Sequence, residues 1–330
     1  MNFSWGPEFS RYLDEPWAKG ALESLALKYD TVEHHGWYDN LDFTVEQMLE
    51  DARPGERVID YSGGTGILTQ RLLDRSPDLN CGVLIADSSP KFLRLALAKF
   101  EQDPRVAFRL IRYLKPERRL QELDEVIDLA AAGRPFDAIT STNAIHLYYG
   151  LVSTLASWHR VLRPGGRVYV QSGNIRDPGA APGSWIIDET VEHIHRAAVS
   201  IVKEDDQYAD LSPLLDDADY MQKHQVLRQK YFLPVRPLET YTTAMEAAGF
   251  ELVDVQRRSI EARVDEWHSF LAVYHEGVLG WLGGAEKITG RKVPEPVIER
   301  RRALMRRAMD KIFSGRETFD ANWTYIRCKK

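Results

Sequence analysis

Cysteine is nearly absent from this chain. Only Cys81 and Cys328 occur in 330 residues. They sit at opposite ends with no metal-ligand spacing, which excludes a disulfide framework and a cysteine-based metal centre and points to free thiols in a reducing compartment. Positive charge is not in excess either. The 43 Lys and Arg against 49 Asp and Glu give a net charge of −6, which argues against a general nucleic-acid binder, because phosphate contacts need a basic surface. No stretch stays apolar long enough to span a bilayer. Met1-Asn2-Phe3-Ser4-Trp5-Gly6 lacks a basic region followed by an apolar run, so no secretory leader is expected. No Gly-x-Ser-x-Gly elbow supports hydrolysis. No His-x-x-x-His pair is present, and His193 and His195 on one helix would point about 200° apart. Adjacent His34 and His35 have the same difficulty, so no metal is expected. These absences leave a cytoplasmic enzyme acting on a small molecule, with no nucleic-acid and no membrane partner.

Residues 57–73 are the most informative stretch that is present. Val58 and Ile59 form a short apolar run ending in Asp60, the pattern of a buried parallel strand. Ser62-Gly63-Gly64-Thr65-Gly66 follows. Glycines tolerate positive φ and let a ligand approach the backbone closely. Ile67, Leu68, Leu72 and Leu73 then fall at helical spacing, so the loop opens a helix. Strand, loop and helix N-terminus make a cradle for a nucleotide-like ligand. A bare strand-to-helix turn would use the same glycines. The second element decides between them: Gly82 to Asp87 is another apolar strand ending in an acid, and Asp87 at its tip is placed to accept two hydrogen bonds from a ribose diol.

A dinucleotide site expects Gly-x-Gly-x-x-Gly against a pyrophosphate. Here Asp60 precedes the loop, and a carboxylate there repels a pyrophosphate but suits a ligand carrying an ammonium or sulfonium. On these residues the sequence resembles the class I S-adenosylmethionine-dependent methyltransferases, whose first motif runs acid-x-Gly-x-Gly-x-Gly. Asp60, Gly64 and Gly66 match it, Ser62 replaces the first glycine, and Asp87 matches the ribose-binding acid. Residues 135–148 resemble the family's fourth strand and the loop beyond it. Residues 155–170 resemble its next helix, Leu-x-Pro-Gly-Gly turn and fifth strand. The resemblance covers roughly residues 50–175 and implies an α/β fold, a doubly wound Rossmann-like sheet of about seven strands with helical insertions forming a cap. It implies S-adenosylmethionine as cofactor and S-adenosylhomocysteine as product. It implies cofactor contacts from Tyr29, Asp60, Ser62, Gly63, Gly64, Gly66, Asp87 and Ser88, with Asn143 and Ala144 at the methionine end. Many relatives also carry an acid soon after the third strand that contacts the adenine amine. This chain has Arg112-Tyr113-Leu114-Lys115 instead, and a backbone contact near Tyr113 or Leu114 is expected to replace it.

Taken in order, residues 1–53 read as an N-terminal helical lid segment. Trp17, Leu22, Leu25 and Tyr29 lie near helical spacing and predict one amphipathic helix over 15–29. Phe43, Val45, Met48 and Leu49 mark another. Residues 54–176 are the cofactor core, with a third strand over 106–111, a charged helix over 117–129 and a fifth strand over 168–171. Residues 177–237 are an insertion, a Pro- and Gly-rich loop followed by a helix through Ile186, Val191, Ile194 and Ile201 and an acidic loop over 204–219. In this fold such an insertion lies over the ligand crevice. Residues 238–264 return to the core with a helix ending at Gly249 and a sixth strand over 250–255. Residues 265–314 are a second insertion, with Trp267, Phe270, Leu271, Tyr274, Val278 and Trp281 on one broad helical face and a basic helix over 299–313. Residues 315–330 supply the final strand. The two insertions are expected to form one cap. The basic face of Arg300 to Arg302, Arg306 and Arg307 reads as a solvated face balancing nearby acids, although acidic insertion and basic helix would also suit a homodimer contact.

Methyl transfer from a sulfonium needs alignment and exclusion of water more than acid–base help. His146, on the loop after the fourth strand, is a candidate base if the acceptor must lose a proton, with packing as its other reading. Tyr148 and Tyr149 are candidate wall or hydrogen-bonding residues, and Tyr149 is placed with His146 in the catalytic set. Asp188, Glu189 and Glu192 also read as acids favoured by a helix N-terminus. The function expected is methyl transfer to oxygen or carbon of a small, aromatic or apolar acceptor. A non-methylating relative that uses the cofactor's charge for a cyclisation or rearrangement, and a binding protein without turnover, remain open alternatives.

Overall fold

The computed structural model describes residues 3–330, the side chain of Leu25 excepted. The leader reading at Met1 and Asn2, and Leu25 in the predicted helix, therefore lie outside the described residues. Seven strands form the central sheet: β1 (Arg57–Tyr61), β2 (Gly82–Asp87), β3 (Val106–Leu110), β4 (Phe136–Thr142), β5 (Leu162–Ser172), β6 (Glu251–Arg263) and β7 (Thr318–Lys329). Their order is β6-β7-β5-β4-β1-β2-β3. β1 pairs in parallel with both β2 and β4, so the strand order reverses there and opens a crevice at the strands' carboxyl ends. Only β7 runs against the rest, antiparallel to β5 and β6.

The helices that matter below are α1 (Ser24–Asp30), α2 (Asn40–Asp51), α3 (Ile67–Arg75), α4 (Pro90–Lys99), α5 (Leu151–Val161), α6 (Glu189–Glu204), α7 (Ala218–Tyr231), α8 (Leu238–Ala247), α9 (Val264–Val273) and α10 (Glu295–Ile312). Every residue of β2 is buried, as a strand covered on both faces requires. One face packs Val45, Leu68 and Leu93 from α2, α3 and α4; the other packs Leu155, Trp158 and Tyr241 from α5 and α8. Ser89 caps α4 through the Phe92 N–H at 3.3 Å. The free edge of β3 is covered by the N-terminal segment, where the Phe108 N–H donates to the Arg11 carbonyl at 2.6 Å and the Arg11 guanidinium reaches back to the Val106 carbonyl.

Several expected boundaries are corrected. The helix over 15–29 is two short helices, Pro16–Lys19 and α1, because Gly20 and Glu23 between them are extended. The charged helix over 117–129 is instead a tight hairpin, Tyr113–Leu114 against Arg119–Leu120, then one turn at Leu123–Val126 and another at Leu129–Ala132. Arg118 turns the hairpin at φ 55°, and Ile127 and Asp128 are extended, which breaks any helical run. β5 starts six residues early, at Leu162. β6 runs eight residues past Val255 to Arg263 as the sheet's edge strand, where Arg257, Arg258 and Glu261 hide the apolar alternation. The face from Trp267 to Trp281 is broken after Val273, with a separate short helix at His275–Leu279. α10 begins at Glu295, four residues before the expected start.

The two insertions pack on each other. Arg300 pairs with Asp210 at 2.6 Å, Arg307 with Asp205 at 2.6 Å and Lys311 with Glu204 at 3.1 Å. The basic helix thus meets the acidic insertion within one chain. Arg301 does not belong to that solvated face: it is 0% exposed, donating to the carbonyls of Leu282, Gly280 and Gly284.

Candidate active site

The loop after β1 is built on left-handed backbone. Ser62, Gly64 and Gly66 have φ of 59°, 57° and 82°. Ser62 thus takes a glycine conformation without being glycine, and its Oγ accepts from the Tyr148 hydroxyl at 2.9 Å. At Gly66 a Cβ would come 2.6 Å from the Phe100 ring, and at Gly63 it would strike the Asp60 carboxyl at 2.7 Å. Gly64 has nothing within 4 Å of where a Cβ would stand, so the loop is open there. Its N–H donates to Asp87 Oδ2 at 2.9 Å, while Asp87 Oδ1 accepts from the Ser89 N–H at 2.7 Å. The tip of β2 is thereby tied to the glycine loop.

Asp60 lies beneath this loop, 1% exposed. One oxygen accepts from Thr69 at 2.7 Å; the other is buried and unpartnered. Burial pushes its carboxyl up to about 7, the Thr69 bond opposes that, and the nearby Asp87 adds to it. Burial raises Asp87 too, against the N–H groups of Ser89 and Gly64. Two buried acids at the crevice suit a ligand carrying positive charge and a diol. Ser88 is exposed beside them.

The loop after β4 carries the next group. Asn143 sits at φ 53°. Its side chain is consumed within the protein: Nδ2 donates to Asn40 at 3.2 Å and Oδ1 accepts from the Trp323 indole at 2.9 Å. Ala144 is buried. His146 is buried between β5 and α6. Its Nδ1 lies 3.0 Å from Ser172 Oγ and its Nε2 3.2 Å from Asn174 Nδ2. Asn174 Oδ1 accepts from the Asp188 N–H at 2.9 Å, so the amide turns its NH2 to the imidazole. Nε2 is therefore an acceptor and the ring proton sits on Nδ1. Burial, with the charge of Arg236, lowers His146 to about 3. Asp188 Oδ2 is 4.0 Å from Nε2, and burial raises that carboxyl to about 7 against the bond from Asn174. A charged pair would relieve both penalties, but the Asn174 amide already engages the imidazole lone pair, which favours neutral His146.

A cavity of about 210 Å³ connects Asn143, His146, Asn174 and Asp188, and its lining includes neither the glycine loop nor Asp60, Asp87, Ser88 or Ala144. Asn143, His146, Asn174 and Asp188 line its strand side; Trp37, Tyr38 and Tyr29 of the N-terminal segment and Trp267, Phe270 and Tyr274 of the second insertion line the other. Tyr29 stacks on Phe92 with centroids 4.7 Å apart and shares a 3.2 Å hydroxyl contact with Tyr38. Lid and cap meet where the Gly36 N–H donates to Glu266 at 2.9 Å. A wider hollow at the opposite end of the sheet, among Arg53, Arg163 and Arg327, holds none of these groups.

Residues 59–168, a third of the chain, match the methyltransferase domain family. That stretch is a class I S-adenosylmethionine-dependent methyltransferase domain. The chain is an S-adenosylmethionine-dependent methyltransferase, and S-adenosylmethionine is its cofactor. Among curated relatives it is similar to the ubiquinone/menaquinone biosynthesis C-methyltransferase UbiE of Coxiella burnetii, 26% identical over 197 residues, covering 58% of this chain and 72% of that protein. UbiE of Idiomarina loihiensis is 26% identical over 242 residues, covering 71% and 83%. Among solved structures the YcgJ protein of Bacillus subtilis aligns with TM-score 0.48 at 14% identity, covering 89% of this chain and 98% of that one. The residues present fit the cofactor: an open glycine loop at Gly64, a carboxylate at the tip of β2 and an unpartnered buried oxygen on Asp60 are the parts a cationic nucleoside requires.

Not every expected site residue joins this methyltransferase's cavity. Tyr149 is a correction: it is 84% exposed and does not line the cavity. The inward place belongs to Tyr148, half-buried and packed edge-on against Tyr61 and Trp158. Tyr113 is 57% exposed and Leu114 half-buried, both on the hairpin beyond β3 and away from the cavity lining. Asn174 was missed because a residue just past a strand end carries no motif, although that position overlooks the crevice in this topology. Among the described residues no group of three His, Cys, Asp or Glu side chains could hold a metal, and no helix is long and apolar enough to cross a membrane.

Proposed function

We propose that this methyltransferase acts on a small-molecule acceptor bound in the cavity between the N-terminal segment and the cap. The observation that carries the reading is that one cavity is walled by aromatic side chains and joins them to a polar end at His146, Asn174 and Asp188. When bound, the cofactor supplies an electrophilic methyl group on a positively charged sulfur. The glycine loop with Asp60 and Asp87 binds it, through Gly64, Asp87 and Ser88 at the ribose. The backbone of Asn143 and Ala144 faces its methionine end, and Tyr113 and Leu114 serve the adenine.

Rings such as Trp37 and Phe270 favour a compact acceptor with an apolar or aromatic body. They also exclude water from the transfer. An acceptor oxygen, carbon or nitrogen that sheds a proton meets Asp188 at the polar end. His146, locked by Ser172 and Asn174, positions that end. The two buried free cysteines suit a cytoplasmic setting.

Calorimetric titration with S-adenosylmethionine, S-adenosylhomocysteine and NAD tests the cofactor site. Binding of the first two without the third is expected. An acceptor screen read by mass spectrometry then tests the reaction: a product heavier by one methyl supports it, and a product of unchanged mass replaces it with rearrangement.

A further inference from the structure

The cavity wall carries one carboxylate, Asp188, and no Lys or Arg. The other ionisable group at the polar end, His146, is held neutral by its bonds to Ser172 and Asn174. Arg236 is turned onto the carbonyls of Ile145 and His146 behind the loop and does not line the cavity. The remaining wall is largely aromatic. Trp267 and Phe270 stack at 5.0 Å with an interplanar angle of 11°. Trp37 stands edge-on to both, at 6.0 and 5.8 Å, and Tyr274 lies 5.1 Å from Phe270. Such a site repels anions: a phosphate or carboxylate would face Asp188 and the aromatic wall with no Lys or Arg to neutralise it. It attracts the opposite charge, because ring faces and a desolvated carboxylate both favour an organic cation.

From this juxtaposition of Asp188 with the rings of Trp37, Tyr38, Trp267, Phe270 and Tyr274 we infer that the acceptor is an organic amine, bound as its ammonium ion. The inference rests on the cavity being the acceptor pocket and deepens that reading by naming the substrate class. The ammonium N–H faces Asp188, which takes one proton and frees the nitrogen lone pair. The nitrogen then forms a bond to the methyl carbon as the carbon–sulfur bond breaks, its electron pair staying on sulfur. The proton on Asp188 leaves to solvent. The burial that raises the Asp188 carboxyl makes it a competent proton acceptor near neutral pH.

Choline and its neutral carbon isostere, 3,3-dimethylbutan-1-ol, separate charge from shape. Each is titrated calorimetrically into the full chain saturated with S-adenosylhomocysteine, whose sulfur is uncharged, so any preference for charge belongs to the acceptor pocket. Choline should bind at least about ten-fold more tightly than the alcohol. Asp188→Asn should bring choline to the alcohol's level, and Tyr274→Leu should weaken choline more than the alcohol. Equal binding of the two probes, or an unchanged choline affinity in Asp188→Asn, overturns the inference. The S-adenosylhomocysteine titration of each variant reports separately on the underlying methyltransferase site.

Discussion

Asp188 Oδ2 stands 4.0 Å from Nε2 of His146, and the side-chain amide of Asn174 touches the imidazole while its carbonyl holds the Asp188 backbone. The pair divides the labour. His146 has both nitrogens engaged, and Asp188 is the titratable group on the cavity wall. Once an acceptor is turned over, Asp188→Asn should lower kcat by about 10²-fold. His146→Gln should lower it less, with S-adenosylhomocysteine affinity intact in both. The kcat of the parent should rise with pH through about 7 as Asp188 loses its proton, and the profile of Asp188→Asn should be flat there.

The same carboxyl sets a stability signature. Its folded value near 7 lies above the ordinary carboxylate value of 3.8. The folded state therefore holds the proton between those limits while the unfolded state has released it, and stability falls as pH rises from about 4 to 7. Asp188→Asn removes this loss. Relative to the parent, the variant should gain on the order of a few kcal/mol between pH 4 and pH 8, read from denaturant unfolding at several pH values.

His224 works with the opposite sign. It is buried, packs on Tyr220 and leaves both ring nitrogens unpartnered. Burial, with Arg301 and Arg228 nearby, lowers it to about 4. The unfolded state takes up a proton below about 6.5, so the folded cap loses stability as pH falls from there towards 4. His224→Leu should melt progressively higher than the parent as pH drops through this window, and the advantage should vanish above pH 7.

At the proposed cofactor site, Asp87→Asn keeps the shape but surrenders the charge that accepts from Gly64 and Ser89 and is proposed to accept from the ribose. S-adenosylhomocysteine affinity should fall by roughly 1–3 kcal/mol. An unchanged calorimetric Kd removes Asp87 from the site.

Gly66→Ala forces a Cβ at φ 82° to within 2.6 Å of the Phe100 ring. The strain should cost about 1–3 kcal/mol of stability, measured by thermal melting. Saturating S-adenosylhomocysteine should recover only part of it, because the clash lies behind the loop.

Where a pattern was local, the sequence could be read directly. The β1 loop, the acid ending β2 and the Ser89 cap depend on neighbours within a few residues. Asp188 was legible only as an acid at a helix start; its pairing with His146 depends on β4, β5 and the first insertion converging, which no spacing encodes. Tyr148 and Tyr149 are adjacent and chemically alike, and only tertiary packing against Tyr61 and Trp158 decides which turns inward. The long edge strand β6 was cut short because one side of an edge meets water, so charge replaces the apolar alternation that marks an inner strand. Arg301 looked like its exposed neighbours because a helix repeat alone does not reveal that carbonyls of a distant loop wait for its guanidinium.

β7 lies between β5 and β6 in the sheet, and that position orders events in time. β6 ends at Arg263 and β7 begins at Thr318, with most of the aromatic cap encoded between them. During synthesis β6 has no ladder partner until the whole second insertion has emerged. The contacts that seat Trp323 against Asn143 therefore form late, at long sequence separation and on the slow side of folding. The glycine loop around β1 and β2 can form well before the aromatic wall of the cavity.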